Sequence, residues 1–179
     1  LSLTLDRALF GLYPAGHHLH SILWHLGCVS LLFLLVKRLL HTPGAFVAAI
    51  LFALHPVQHE TVALLAARND SMAAFFTLAT VIVLLERTAS PIRLIAGGVL
   101  FFLALLSKES AMLLPVLLAC LDWGRWGRLG QKRRFAVLIL GVLGIVLLRR
   151  AVGVGSAGWP DPSAWSKVVG VVPEITGTY

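Results

Sequence analysis

The chain has 179 residues, 58% of them hydrophobic and 13% charged, with a mean hydropathy of +0.88 and a formal net charge of +7. A soluble domain is nearer ~45–50% apolar and ~25% charged, so the composition excludes an ordinary soluble core and reads as an integral membrane protein. The basic excess lies between apolar runs, without the aromatic and basic surface that nucleic acid requires, so nucleic acid is excluded as a partner.

In chain order, residues 1–7 carry no basic leader and no small-residue cleavage site, so no signal peptide is legible and the chain reads as an internal piece of something longer. Residues 19–40 form the only apolar segment that reaches the ~20 residues needed to cross a bilayer. Just before and within it lie His17, His18, His20 and His25. On a helix His18, Ser21 and His25 share a face, and His25 is expected to hydrogen-bond another segment. No Cys or carboxylate sits at ligand spacing in this cluster, so packing is a better reading than metal. Apolar segments follow at residues 45–54, 72–85, 92–106, 112–121 and 135–148. Each is short and would tilt, thin the bilayer or use flanking residues.

These segments predict an all-α fold, a polytopic membrane protein of about six spanning or partly spanning helices over residues 1–150, with a short outer-face interfacial helix at residues 55–70. Residues 151–179 contain Gly, Pro, Trp159 and Trp165 and are expected to form an outward-facing loop or tail. Cys28 and Cys120 both fall in apolar runs, which argues against a disulfide framework.

Simple alternation of the spans sorts the charges. Lys37, Arg38, Arg87, Arg93, Arg125, Arg128, Lys132, Arg133 and Arg134 fall on one side, which is therefore expected to be cytoplasmic. The opposite side holds Arg7, Arg68, Lys108, Arg149, Arg150 and Lys167, together with Glu60, Asp70, Glu109 and most of the histidines. Mixed charge on that outer face suits a site, whereas a basic rim suits insertion. The expected location is a bacterial inner (cytoplasmic) membrane with the N-terminus and residues 55–70 facing outward.

Polar side chains wedged between apolar runs are costly and usually serve a site. The clearest instance is His55-Pro56-Val57-Gln58-His59-Glu60, continuing to Arg68-Asn69-Asp70. Pro56 suits a first helical turn and Glu60 complements the helix dipole there. If one helix ran on to Asp70, then His55, His59 and Asp70 would form a stripe. Such a stripe could hold a divalent metal or a phosphate, or belong to an interfacial helix with snorkelling side chains. Ser107-Lys108-Glu109-Ser110 offers a lysine for an anionic head group, or a Lys–Glu pair capping a turn. Arg149-Arg150 could grip a phosphate or snorkel to lipid head groups. The loop 122–134, with Trp123 and Trp126, reads as topogenic and lipid-contacting.

Three of these runs together resemble a known family. Gly11-Leu12-Tyr13-Pro14-Ala15-Gly16 with His18, Ser21 and His25 forms the first. Leu54-His55-Pro56 with Glu60, Val62, Arg68 and Asp70 forms the second, and Leu106-Ser107-Lys108-Glu109 with Pro115 and Leu121-Asp122-Trp123 the third. In this order and spacing they resemble the membrane half of tetratricopeptide-repeat-containing, GT-C-type glycosyltransferase-like proteins, relatives of the protein O-mannosyltransferases. Ser21 stands where the family pattern has asparagine, and Gln58 where it has a second histidine.

The resemblance implies transfer of a sugar from a polyprenyl-phosphate donor to an acceptor hydroxyl at the outer membrane face, with a divalent metal as a further option. It implies His55, Arg68, Lys108 and Arg149 as phosphate contacts, and Glu60, Asp70 and Glu109 as supporting or metal-binding residues. It places the catalytic acid upstream of Leu1. An enzyme of this kind predicts that His55, Glu60, Arg68, Asp70 and Lys108 converge on one cavity. The alternative, a non-catalytic membrane subunit packed against other membrane proteins and lipids, predicts that these groups pair among themselves and leave no cavity. A transporter would carry broken helices and polar groups near the midplane, and here they lie at segment ends.

Overall fold

The computed structural model describes residues 13–58, 67–86, 89–127 and 129–152. The expected tail at 151–179, apart from its first two residues, lies outside them, as do His59, Glu60, Arg87 and Arg128. Every regular element among the described residues is helical. We number them α1 (Pro14–Leu39), α2 (Thr42–Leu54), α3 (Arg68–Leu84), α4 (Pro91–Ser107), a 3-10 turn (Glu109–Leu113), α5 (Leu114–Trp126) and α6 (Lys132–Val152). Each of the six apolar segments legible in the sequence is one of these helices.

Helix ends follow local chemistry. Pro14, Pro43, Pro91 and Pro115 occupy first-turn positions, where the missing N–H would have no helical partner. Ser90 caps α4, its Oγ accepting from Arg93 N at 3.4 Å. His55 is extended (φ −65°, ψ 128°) because it precedes Pro56, and α2 stops there. Gly127 closes α5 at φ 64°, a left-handed conformation that costs a residue with a Cβ more. A single helix running from His55 to Asp70 is not what forms: α2 ends at Leu54 and α3 begins at Arg68.

The chain divides into two compact units, Leu1–Val142 and Leu143–Tyr179. Within the first, α3 packs most extensively on α4, and α1 packs on both α2 and α3. Contacts fix the directions. Ser21 meets Arg68 and Arg38 meets Ile82, so α1 and α3 run parallel. Asp70 meets Lys108 at one end of the α3–α4 pair and Glu86 meets Arg93 at the other, so these two are antiparallel. Placing a Cβ on Gly98 or Gly141 would bring it within 2.9 Å of Val137 and of Phe101 respectively, so α4 and the first half of α6 also run parallel. This is the strict alternation that the charge argument assumed.

Small residues line parts of the helix interfaces, beside large buried ones such as Phe101 and Leu105 of α4. In α2 the small Ala45 and Ala49 are buried, while Phe46, Val47, Ile50, Leu51 and Leu54 are exposed. In α4 Gly97 and Ala104 are buried, while Ile92, Ile95, Val99 and Leu106 are exposed. Small residues at helix interfaces with large apolar residues outward is the arrangement expected where lipid, not water, surrounds the bundle. By length and composition α1 is the helix able to cross a membrane, and Thr42–Leu54 and Pro91–Ser107 are shorter apolar helices.

Close approach at Gly97 yields a testable consequence. A Cβ there would lie 2.7 Å from Leu84 of α3. Gly97→Leu is expected to separate α3 from α4 and lower stability by about 1–3 kcal/mol. A detergent-titration unfolding midpoint equal to that of the unsubstituted protein would contradict this packing.

Candidate functional site

Opposite ends of α3 carry two different charge constructions, about 20 Å apart at 1.5 Å per residue. At the C-terminal end, the last turn leaves carbonyls without helical donors. Arginines supply them. Arg38 NH1 donates to Ile82 O at 3.1 Å, and Arg134 NH1 donates to Leu84 O at 2.5 Å and to Glu86 O at 2.9 Å. Arg134 is 0% exposed and Asp122 1%, and their ion pair measures 2.6 Å. Asp122 Oδ2 also accepts from Gly130 N at 2.8 Å. Arg93 pairs with Glu86, and Ala89 N donates to Gln131 Oε1 at 3.2 Å. Reading loop 122–134 as purely topogenic is thus corrected at Arg134 and Asp122: they form a buried clamp joining the ends of α3, α5 and α6.

The other end of α3 carries the candidate site. Asp70 lies in the first turn of α3, and Lys108 follows the last turn of α4, so each charge complements the dipole of its own helix. Lys108 is extended (φ −156°, ψ 142°), which turns the chain out of α4 and aims its side chain across at α3. Its Nζ meets Asp70 Oδ1 at 2.5 Å, with the two side chains 47% and 40% exposed. They stand at the mouth of a cavity of about 320 Å³. Ser110 adds a hydroxyl, and Ala73, Ala74, Thr77, Leu113, Leu114 and Leu117 make the wall largely apolar. An ion pair and a hydroxyl beside an apolar wall can accommodate a ligand with an anionic head and a hydrocarbon tail.

A second cavity of about 160 Å³ adjoins the first along Asp70 and Ala74. His25, Cys28, Phe52, Gln58 and Ser71 complete its lining. His25 stacks on Phe52 (5.7 Å between centroids, 20° between planes), and its Nε2 lies 3.4 Å from Ala53 O. The expected bond from His25 to another segment is therefore present, to α2.

Arg68 sits behind these cavities. It is 0% exposed; its Nε donates to Ser21 Oγ at 3.1 Å and one terminal nitrogen to His17 O at 2.8 Å. Ser21 Oγ in turn lies 3.3 Å from His17 O, and Cys28 Sγ donates to Ser71 O at 3.2 Å. Trp24 packs edge-on to Phe75 with centroids 5.1 Å apart. Together these fix the start of α3 against α1.

Among the remaining candidates, His55 is exposed and its Nδ1 accepts from Val57 N at 3.2 Å. Glu109 is exposed beside Lys108. Arg149 belongs to the second unit, and Glu60 lies outside the described residues. Among the described residues no three His, Cys, Asp or Glu side chains converge in a way that would hold a metal ion, and the candidates Glu60 and His59 lie outside them. Sequence reading missed Ser21, the partner of Arg68, and Gln58, although both are positions where the chain departs from the family pattern.

The protein O-mannosyl-transferase F38B6.6 of Caenorhabditis elegans is 30% identical over 112 residues, 60% of this chain and 16% of that protein. The human protein O-mannosyl-transferase TMTC2 is 38% identical over 80 residues, 44% of this chain and 9% of that protein. Drosophila melanogaster Tmtc1, also a protein O-mannosyl-transferase, is 38% identical over 71 residues, 39% of this chain and 8% of that protein. The chain therefore spans 16% or less of these relatives. No solved structure matches it significantly. The family described as dolichyl-phosphate-mannose-protein mannosyltransferase matches residues 3–150, through every helix described above. The chain belongs to this family of glycosyltransferase-like membrane proteins.

Proposed function

We propose that the chain forms the donor-binding part of a polytopic membrane glycosyltransferase, which takes a sugar from a polyprenyl-phosphate carrier and passes it to an acceptor hydroxyl. The observation that carries this reading is the cavity with Lys108 and Asp70 at its mouth and an apolar trough beneath. Lys108 holds the carrier phosphate as a point charge, Ser110 donates a hydrogen bond, and the isoprenyl chain lies along Ala73, Thr77, Leu114 and Leu117. As the sugar leaves, negative charge grows on the phosphate, and a fixed ammonium there lowers the barrier.

Lys108 already has a partner in Asp70. The pair is about half exposed, and pairs of that kind contribute only about 0–1 kcal/mol. The singly charged phosphodiester of the donor therefore displaces Asp70 from Lys108 at small cost, and the monoester left after sugar transfer, with more than one negative charge, holds Lys108 more strongly. By the positive-inside rule the end holding Arg38, Arg93 and Arg134 is cytoplasmic and the Lys108 end faces outward. A non-catalytic subunit predicts that the polar groups pair and leave no cavity, and here a cavity accompanies the pair.

The test is phosphate dependence. The chain in lipid nanodiscs is titrated with fluorescent polyprenyl phosphate and, separately, with the matching polyprenol. At least tenfold tighter binding of the phosphate is expected. Equal affinities would remove the phosphate site and with it this function.

A further inference from the structure

We propose that the second cavity, between α1, α2 and the start of α3, is the subsite for the sugar carried by the lipid phosphate, and that Gln58 and Asp70 read its hydroxyls. This rests on the donor-binding reading above and extends it to the sugar. Three observations support the assignment. The cavity adjoins the phosphate mouth along Asp70 and Ala74, so a group bonded directly to a phosphate at Lys108 lies within its reach. Its lining adds a carboxamide, an imidazole and a serine to the Asp70 carboxylate that it shares with the first cavity. Carboxylates accept and carboxamides both donate and accept, which suits vicinal hydroxyls that themselves do both. Phe52, held by the stacked His25, offers an apolar face for the C–H side of a pyranose.

The arrangement gives Asp70 two positions in turn. Without ligand it pairs with Lys108. When the phosphate takes Lys108, the Asp70 carboxylate turns to the second cavity that it also lines, where it accepts from sugar hydroxyls. Arg68, buried and bonded to Ser21 and His17, keeps the backbone of this turn in place during the exchange.

The test compares polyprenyl methyl phosphate with polyprenyl-phosphate mannose, both singly charged phosphodiesters, titrated into the full chain in nanodiscs. The unsubstituted protein is expected to bind the mannosylated lipid about tenfold more tightly, the equivalent of roughly one well-formed hydrogen bond. Gln58→Leu, similar in volume, is expected to erase that difference and to leave affinity for polyprenyl methyl phosphate unchanged. Equal binding of the two lipids by the unsubstituted protein would overturn the sugar subsite and leave the phosphate site standing. So would an equal loss for both lipids in Gln58→Leu. Failure to bind either lipid would overturn the donor-binding reading, and the subsite with it. The first comparison needs no variant, so misfolding of Gln58→Leu cannot rescue the proposal.

Discussion

Asp122→Ala is expected to destabilise the first unit by about 3–5 kcal/mol, the largest stability effect of any single substitution considered. Truncation would leave the Arg134 guanidinium, 0% exposed, without its counter-charge and Gly130 N without its acceptor. Burying an uncompensated cation far exceeds the cost of losing a surface pair. Space offers no escape. A Cβ at Gly130 would overlap the Arg134 guanidinium, so the loop already lies against it. Arg134→Ala should cost a similar amount by a different route, since it strips Leu84 O and Glu86 O of their donor as well as Asp122. The double variant Asp122→Leu/Arg134→Met should recover a large part of the loss, because an apolar pair carries no desolvation penalty. Detergent-titration unfolding of the unsubstituted protein, the two alanine variants and Asp122→Ala/Arg134→Ala forms a double-mutant cycle. A coupling near zero would mean that the clamp does not exist in the membrane.

Lys108→Ala is expected to act in the opposite sense: little change in stability and a large loss of binding. The Lys108–Asp70 pair is half exposed, so its removal should move stability by no more than about 1 kcal/mol. A charged hydrogen bond to phosphate contributes about 1.5–3 kcal/mol, so affinity for polyprenyl phosphate should fall roughly ten- to a hundredfold. Asp70→Asn separates the two roles of that side chain. It removes the competitor for Lys108, so bare polyprenyl phosphate should bind as well as before or better. Unaltered lipid binding in Lys108→Ala, in a protein that unfolds normally, would take Lys108 out of the site.

These two ion pairs, Arg134–Asp122 and Lys108–Asp70, show where sequence reasoning stopped. All six helices are legible as apolar runs of Leu, Ile, Val and Phe separated by polar and charged residues. Their ends are legible too, because Pro14, Pro91 and Pro115 start helices and Gly127 stops one for reasons internal to a few residues. Charge alternation along the chain separated Lys108 and Asp70 from Arg38, Arg93 and Arg134 correctly. The stripe from His55 to Asp70 failed because it assumed one helix, and Pro56 holds His55 in an extended conformation.

What the sequence determined by itself was therefore one-dimensional: helix class, helix order, alternation of direction, family resemblance, and the end of the bundle on which each charge falls. Tertiary structure alone decided which charges are buried. Lys132, Arg133 and Arg134 are consecutive and chemically similar, yet the first two are exposed and the third is sealed against Asp122. Arg68 and Asp70 are two residues apart, yet one is locked to Ser21 while the other opens onto two cavities. Successive residues on a helix differ by about 100° in direction, so the neighbouring helix, not the neighbouring residue, sets the surroundings of each charge.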